Sequence, residues 1–436
     1  MSPEYFLLQA SMSFFLKFYF LLLPFQWALS PIEGVDLAII RPITLGLGLF
    51  WLVRGCMRGE IRLLFRAGLF FFCSFLFMVS LSYFWSINSS FSVRKIMFLL
   101  SFAPLFLVLL DFFQDTGRCL FVLRSYVVGA LVAATAGIII FFSQFIFGVQ
   151  AVFIYLTTNT LPFFLGHSFG QIVQQYPSLL VNVGGKTLLR ASGFFPDPHM
   201  YAFYIGMAIP VALGFFLLAD KSERWKWLAA IGLLILVDLL TFSRGAYVGL
   251  LGASLVWFMT SNWLKHLILK RKMLVMAWGV LFFGLLFFTP FPHRFYSSFS
   301  QYDGSNIERI RLWHEAINHI AEQPLLGVGV GNYPLVVKPS ATYRDPIYVH
   351  NLYLDIAVEI GGLGLAFFLL LLFGAIGHSW LRWRNKGDTI GYVTVLSLVI
   401  FSAHALFETP LYSVHVLPIL LLFLALGTSR YIPKRI

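Results

Sequence analysis

The stretch Gly361-Gly-Leu-Gly-Leu-Ala-Phe-Phe-Leu-Leu-Leu-Leu-Phe-Gly-Ala-Ile-Gly377 contains no ionisable side chain. With the apolar residues that precede it, the stretch reaches the ~20 mostly apolar residues that a helix needs to cross a bilayer. Similar stretches recur along the 436-residue chain, which is 59% hydrophobic and only 11% charged, and the mean hydropathy is +0.82. Such a chain cannot bury its apolar side chains in one soluble core. The sequence therefore predicts an all-α polytopic membrane protein.

Charge clusters and loop signals divide the chain into about twelve predicted transmembrane helices. Two of the intervening segments, roughly 148–199 and 291–350, are too long to be simple turns. We find no convincing internal repeat and no soluble linker, so residues 1–436 are predicted to form a single integral membrane domain. The predicted spans lie near 12–30, 36–53, 67–85, 96–113, 121–147, 200–219, 226–241, 246–261, 273–290, 351–377, 390–407 and 411–429.

Lysine and arginine are distributed unevenly between the two ends of these spans. When the chain is threaded alternately through the bilayer, nineteen of its 31 Lys and Arg residues fall on one side. Cytoplasmic loops carry such an excess, so this side and both chain termini are predicted to be cytoplasmic. The same bias, with contact to anionic lipid, accounts for the net charge of +12, and no nucleic-acid partner is predicted.

Several arginines nevertheless fall on the opposite, outer side. Arg190 lies in Leu188-Leu-Arg-Ala-Ser-Gly-Phe-Phe-Pro-Asp-Pro-His199, which leads into the next span and also brings Asp197 and His199 close to the membrane boundary. The two prolines of this stretch exclude a regular helix. Either Arg190 reaches lipid phosphate from an interfacial turn, or it belongs to a functional site.

Arg244 lies in the short connection Thr241-Phe-Ser-Arg-Gly245 between two predicted spans. A loop this short cannot carry a guanidinium group far into water. Charged groups at membrane depth usually face a cavity or a partner, so Arg244 is a candidate functional residue. The structural alternatives are a helix-end cap or a salt bridge to Asp238, which would require a distorted turn.

Within the long segment 291–350, residues at about 305–322 have the apolar spacing of an amphipathic helix. Such a helix could lie on the membrane surface or form the roof of a cavity. Its residues Arg309, Arg311 and His314 are candidates for substrate binding. The alternative is a solvated polar face on which Arg311 pairs with a glutamate four residues later.

The chain contains no convincing motif for a metal or nucleotide site. The alternating glycines at 327–331 lack the spacing of a nucleotide-binding loop and are interpreted as a hinge or as close packing. No second histidine lies at a metal-ligand spacing from His350, and no HExxH or Cys-His cluster is present, so no metal site is predicted.

His350 and Asn351 open the span predicted at 351–377, on the same side as these arginines. A lone histidine is more often packed than catalytic, but a group that titrates near neutrality beside several arginines is a candidate base. Three cations at a partly dehydrated surface would bind a dianionic or pyrophosphate group through bidentate hydrogen bonds. They would also neutralise a departing pyrophosphate without a metal, while His350 removed a proton from an attacking hydroxyl.

Together these residues resemble the O-antigen ligase and O-antigen polymerase family. The similarity covers roughly residues 185–375 and the twelve-span plan. It implies a glycosyltransferase-C-like fold in the bacterial inner membrane, with 291–350 as a large periplasmic loop. The matching motifs are Arg190 with Gly193, Thr-x-Ser-Arg244-Gly, Arg311-x-Trp followed by Pro-Leu-Leu-Gly-Val-Gly, and His350-Asn with Glu359-x-Gly-Gly-x-Gly.

The resemblance also implies a reaction. Members of the family take a glycan linked to undecaprenyl pyrophosphate on the periplasmic face and transfer it with inversion to an acceptor hydroxyl, using neither nucleotide sugar nor metal. By position, Arg190 and Arg244 correspond to pyrophosphate-binding arginines and His350 to the activating histidine, and these three are the predicted catalytic residues. The sequence departs from the family at Asp197-Pro-His199, where relatives often have an Asn after the proline. The predicted substrate-binding residues are Arg309, Arg311, His314, Asp197, His199 and Asn351.

The sequence leaves open the identity of the acceptor and the choice between a transferase and a transporter. The acceptor is lipid A-core for a ligase and another lipid-linked repeat for a polymerase; a protein acceptor is less favoured, because the chain lacks the large C-terminal extension often seen in that branch. The alternative class is a transporter or flippase of a lipid-linked or anionic solute, which places ionisable residues near the bilayer midplane. The residues available for such a role are Lys17, Arg41, Asp238, Glu359 and Glu408.

Overall fold

The computed structural model describes residues 3–32, 35–59, 66–175, 178–260, 304–343, 345 and 347–431, and over these residues it is predominantly helical. Two short antiparallel hairpins accompany the helices, β1 (Ala28–Ile32) with β2 (Val35–Ala38) and β3 (Leu180–Val183) with β4 (Lys186–Leu189). The helices are α1 (Pro3–Leu22), α2 (Ile40–Arg58), α3 (Ala67–Leu81), α4 (Ser89–Phe112), α5 (Thr116–Phe147), α6 (Val149–Tyr155), α7 (Leu161–Leu165), α8 (His167–Gln175), α9 (Pro198–Leu218), α10 (Arg224–Leu240), α11 (Arg244–Thr260), α12 (Gly304–Glu322), α13 (Tyr333–Val337), α14 (Leu352–Lys386), α15 (Thr389–His404) and α16 (Val416–Thr428).

Six of the described helices are long and apolar enough to cross a membrane, namely α2, α3, α4, α5, α9 and α14. Shorter apolar helices occur at 12–22, 149–165, 389–404 and 416–428. These features agree with an all-α polytopic membrane protein. The span predicted at 273–290 lies outside the described residues.

The predicted spans at 12–30 and 36–53 are wrong at their facing ends. Helix α1 ends at Leu22, because Pro24 cannot continue it. The chain then forms the β1–β2 hairpin, in which Leu29 lies opposite Leu37, and α2 starts only at Ile40. Apolar residues in a short hairpin give the same hydropathy signal as the end of a span.

Helix α14 is interrupted at Gly361, where φ is 83°. The glycine-rich segment 324–331 fills this break: Val328 N–H donates to the Val358 carbonyl at 2.8 Å, and Gly329 N–H donates to the Glu359 carbonyl at 2.9 Å. Irregular backbone at membrane depth requires such partners. The predicted continuous span at 351–377 therefore consists of two helical segments.

Glycine is required on both sides of this contact. A Cβ on Gly361 would lie 2.1 Å from the Leu325 carbonyl oxygen, and one on Gly327 would lie 2.6 Å from the Val358 carbonyl oxygen. Both glycines also have positive φ, which L side chains rarely adopt. Of the two interpretations of the alternating glycines, the structure supports close packing.

Helices α9, α11 and α15 pack closely around Ile400. A Cβ on Gly206 of α9 would lie 3.3 Å from the Ile400 side chain, and one on Gly249 of α11 would lie 2.9 Å from its carbonyl oxygen. Small residues permit this close approach between helices in lipid. The packing brings together the start of α9, the α10–α11 turn and the end of α15.

Candidate active site

Glu408 lies at the centre of a polar cluster where these helix ends meet. It follows α15 in the connection to α16 and is only 4% exposed. Its carboxylate forms an ion pair with Arg309 of α12 and a 2.9 Å hydrogen bond with His350 Nδ1, and it lies 3.5 Å from His199 Nδ1. Three segments that are distant from Glu408 in sequence therefore converge on one buried carboxylate.

The contact with Glu408 fixes the orientation of the His350 ring. An ionised carboxylate only accepts hydrogen bonds, so His350 Nδ1 carries the proton and donates it to Glu408. In the neutral imidazole this leaves Nε2 with a free lone pair that can accept a proton. His350 thus has the tautomer required of a general base.

The backbone around His350 is strained and firmly held. His350 has φ 53°, an uncommon value for a residue other than glycine. The following Asn351 caps α14 by accepting from the N–H groups of Tyr353 and Leu354. The preceding Val349 carbonyl accepts from Trp313 of α12 at 2.9 Å. Such strain persists only where the surroundings determine the conformation, and it often marks a functional site.

Arg190 lies beneath this cluster and is 5% exposed. Its Nε donates to the Thr241 carbonyl at 2.6 Å and its Nη1 to the Ser178 carbonyl at 3.1 Å, while both Nη atoms lie 3.3 Å from His199 Nε2. Arg190 thereby ties the end of β4 to the α10–α11 turn. Since guanidinium only donates, His199 Nε2 is the acceptor of these bonds.

A directed chain of hydrogen bonds continues from His199. Because Nε2 accepts from Arg190, the Nδ1 proton of neutral His199 faces Ser243 Oγ at 2.8 Å. Ser243 Oγ in turn lies 3.1 Å from His404 Nε2, and His404 stacks on Phe203 with ring centroids 3.6 Å apart. Both ring nitrogens of His199 are occupied by protein contacts, so its predicted binding role stays a prediction.

Arg244 is the first residue of α11 and is half-buried beside this chain of hydrogen bonds. Ser243 precedes it, and a Cβ on Gly245 would lie 2.2 Å from the His404 ring. Phe242 has φ 51°; together with His350 it is the only residue other than glycine with positive φ in the described part of the chain. Each of these two strained positions therefore lies in a motif that contains a predicted catalytic residue.

The two arginines of helix α12, the helix predicted at about 305–322, have different surroundings. Arg309 points toward Glu408 and is mostly buried. Arg311 is 47% exposed and forms ion pairs with Glu308 and Glu315 along its own helix. His314 is exposed too. The structure thus brings Arg309 into the cluster and leaves Arg311 and His314 outside it, where their binding roles stay predictions.

Asp197 and Asn351 both act as helix caps. The Asp197 carboxylate accepts from the His199 N–H at 2.6 Å at the start of α9. Burial, followed by the charge of Glu408, raises the pKa of Asp197 to about 6, although Arg190 acts to lower it. Any contact of these two caps with a substrate stays a prediction.

The charge of Glu408 is set by competing effects. Burial acts to raise the pKa of Glu408, but His199, Arg309 and His350 outweigh this effect and hold its pKa well below the usual range. The Glu408 carboxylate is therefore ionised at neutral pH.

Among the described residues, no three His, Cys, Asp or Glu side chains are arranged to hold a metal ion.

Glu408, Ser243 and His404 are site residues that sequence reasoning missed. Glu408 was considered only among the acids available to a transporter. The available signal was its position in His404-Ala-Leu-Phe-Glu408-Thr-Pro, a carboxylate between two apolar stretches at the outer end of the predicted bundle. Ser243 lies directly beside the predicted Arg244.

Residues 229–369 match the model of a family described as O-antigen ligase. A protein of Rickettsia bellii that is provisionally named a polysaccharide ligase is 26% identical over 214 residues, which are 45% of this chain and 52% of that protein. A provisionally named polysaccharide ligase of Rickettsia conorii is 25% identical over 166 residues, which are 36% of this chain and 40% of the relative. The chain thus spans about half the length of the first relative and less of the second. The family match contains Arg244, Arg309 and His350, whereas Arg190 and Glu408 lie outside it.

Proposed function

We propose that the chain is a glycosyltransferase of surface polysaccharide biosynthesis, and the match of residues 229–369 to the O-antigen ligase family model supports this. The donor is a glycan linked to undecaprenyl pyrophosphate, and the acceptor is a hydroxyl group on lipid A-core or, for a polymerase, on another lipid-linked repeat. The reaction takes place at the periplasmic face of the bacterial inner membrane, with both chain termini in the cytoplasm.

The observation that carries this proposal is the hydrogen bond between His350 Nδ1 and the buried Glu408 carboxylate, beside Arg309. The bond leaves His350 Nε2 ready to accept the proton of the attacking hydroxyl. As that proton leaves, the ionised Glu408 stabilises the positive charge that forms on the imidazole. The arrangement supports bond chemistry more directly than transport, because a solute-binding site does not require an oriented base.

The proposed reaction is a single displacement. The acceptor oxygen forms a bond to the anomeric carbon while the bond from that carbon to the pyrophosphate oxygen breaks, so the configuration inverts. The hydroxyl proton moves to His350 Nε2, and undecaprenyl pyrophosphate leaves with its negative charge. Arg190, Arg244 and Arg309 stabilise that charge electrostatically, which is why the reaction is proposed to need no metal.

The test is transfer by the purified protein in lipid nanodiscs with EDTA present. Undecaprenyl-pyrophosphate glycan is offered either with lipid A-core or alone. Glycan on lipid A-core supports a ligase, and longer chains on the carrier support a polymerase. If no product forms with either acceptor, while the protein moves lipid-linked glycan across liposomes, the transferase proposal is wrong and a flippase takes its place.

A further inference from the structure

A second buried charge pair lies next to the site. Lys95 of α4 contacts both carboxylate oxygens of Glu359 on α14, at 2.9 and 3.0 Å. The Lys95 side chain is 12% exposed and the Glu359 side chain 1%. A buried ion pair stabilises a fold little more than apolar residues of the same volume, so its presence calls for another explanation.

Glu359 belongs to the part of α14 that carries His350. This segment runs from the Asn351 cap to the break at Gly361 and contains only nine helical residues, Leu352–Ile360. A non-helical glycine is a point at which such a short segment can pivot. The Lys95–Glu359 ion pair holds this segment just before Gly361.

The other side of Lys95 contacts the connection that carries Glu408. The Lys95 ammonium lies 4.2 Å from the ring centroid of Tyr412, in the 3-10 turn that begins at Pro410. Cation–π contacts of this length are favourable, particularly away from water. One ammonium group therefore touches the two segments whose side chains form the His350–Glu408 hydrogen bond.

The end of α4 that carries Lys95 is held by hydrogen bonds. The start of α4 is bound to the glycine-rich segment, because Asn88 N–H donates to Asn332 Oδ1 at 2.6 Å and Ser92 Oγ donates to the Val330 carbonyl at 2.7 Å. The same segment fills the break in α14. The position of Lys95 is thus fixed relative to both of its partners.

Given the transfer reaction proposed above, we propose that Lys95 is a positioning residue: it holds the His350 segment and the Glu408 segment in the register at which His350 Nδ1 meets Glu408. Lys95 touches neither substrate nor reacting atoms in this scheme. The competing explanation is that Lys95 does no more than neutralise Glu359. The two explanations differ in what happens when both charges are removed together.

The double variant Lys95→Met with Glu359→Gln removes both charges of the pair together. If Lys95 sets the register, kcat falls by about tenfold to a hundredfold, since a misplacement of about 1 Å at a catalytic base has such an effect. The donor KM changes little, so the loss appears in kcat rather than in donor binding. Tyr412→Leu keeps the ion pair but removes the ring, and we expect it to lower kcat by about three- to tenfold.

The matched control is Lys226→Met with Glu223→Gln, which removes an exposed pair of 2.6 Å and causes the same change in charge. A readout independent of transfer is the rate at which diethyl pyrocarbonate modifies His350, measured by mass spectrometry of its peptide. That rate should change in the double variant and in Tyr412→Leu, and stay at the wild-type value in the control. If the wild-type protein transfers no glycan, the proposed function fails, and the modification rate alone decides the role of Lys95. Wild-type kcat and a wild-type modification rate in both site variants would overturn the positioning role.

Discussion

Replacing Glu408 by Gln tests the site most sharply, because the change removes one charge and preserves the shape of the side chain. Glu408 is ionised, buried and in contact with both His350 and Arg309. A proton that arrives on His350 creates a positive charge about 4 Å from the carboxylate charge. At an effective dielectric constant of about 20, two unit charges at that distance attract by about 4 kcal/mol.

Loss of this attraction corresponds to a fall in kcat of up to about 10³-fold, since each 1.36 kcal/mol changes a rate by about tenfold. The assay is transfer of glycan from undecaprenyl pyrophosphate under single-turnover conditions, with donor binding measured separately. Glu223→Gln, an exposed glutamate paired with Lys226, serves as the matched control. If Glu408→Gln keeps more than about a third of the wild-type rate, the Glu408 charge does not stabilise protonated His350.

Three further predictions follow from contacts in the structure. Arg309→Ala should lower kcat/KM by about a hundredfold, because it leaves the buried Glu408 carboxylate without its permanent cation. Arg311→Ala should lower kcat/KM by less than about threefold, because its ion pairs are exposed. Parallel transfer assays measure both effects. As pH rises through about 6, Asp197 should gain a negative charge and the donor KM should increase. Asp197→Asn should flatten this pH dependence. A pH-independent donor KM in the wild-type protein would contradict the prediction. Gly361→Ala should destabilise the fold by at least about 1–3 kcal/mol, because the added Cβ would clash with backbone atoms. Gly377→Ala should not destabilise it, because a Cβ there would meet no atom within 4 Å. Thermal melting of the detergent-purified proteins measures the difference.

Much of the fold could be predicted from sequence, because crossing a bilayer imposes a length and composition that are visible locally. The helices at α4, α5, α9 and α15 overlap the predicted spans. The break in α14 could not be predicted in the same way. It depends on the segment 324–331 filling the gap at Gly361, which is a contact between residues thirty or more positions apart.

The candidate site was partly accessible from sequence. Arg190, Arg244 and His350 lie at predicted outer ends of spans, and Arg309 lies in the long outer segment between two spans, so charge and position were enough to select them. Glu408 was not selected, because a single carboxylate after an apolar helix carries no motif. Its significance arises only from the helix packing that brings it against residues of α9, α12 and α14.

The sequence also could not distinguish the two arginines of α12. Arg309 and Arg311 are two residues apart on a helix and therefore point in different directions. Which of them faces the site depends on how Leu312 and Ala316 pack against Tyr333 and neighbouring residues. That packing turns Arg309 toward Glu408 and leaves Arg311 on the exposed side.

The most direct test of the central claim is to quantify both products, glycosylated acceptor and free undecaprenyl pyrophosphate, in wild-type protein and in His350→Ala, with EDTA present. We predict that the wild-type protein forms the two products in equal amounts. We expect His350→Ala to bind the donor with similar affinity but to form both products at least about a hundredfold more slowly, as is typical when a general base is removed. Wild-type rates of product formation by His350→Ala would contradict the claim that this histidine, held by Glu408, activates the acceptor.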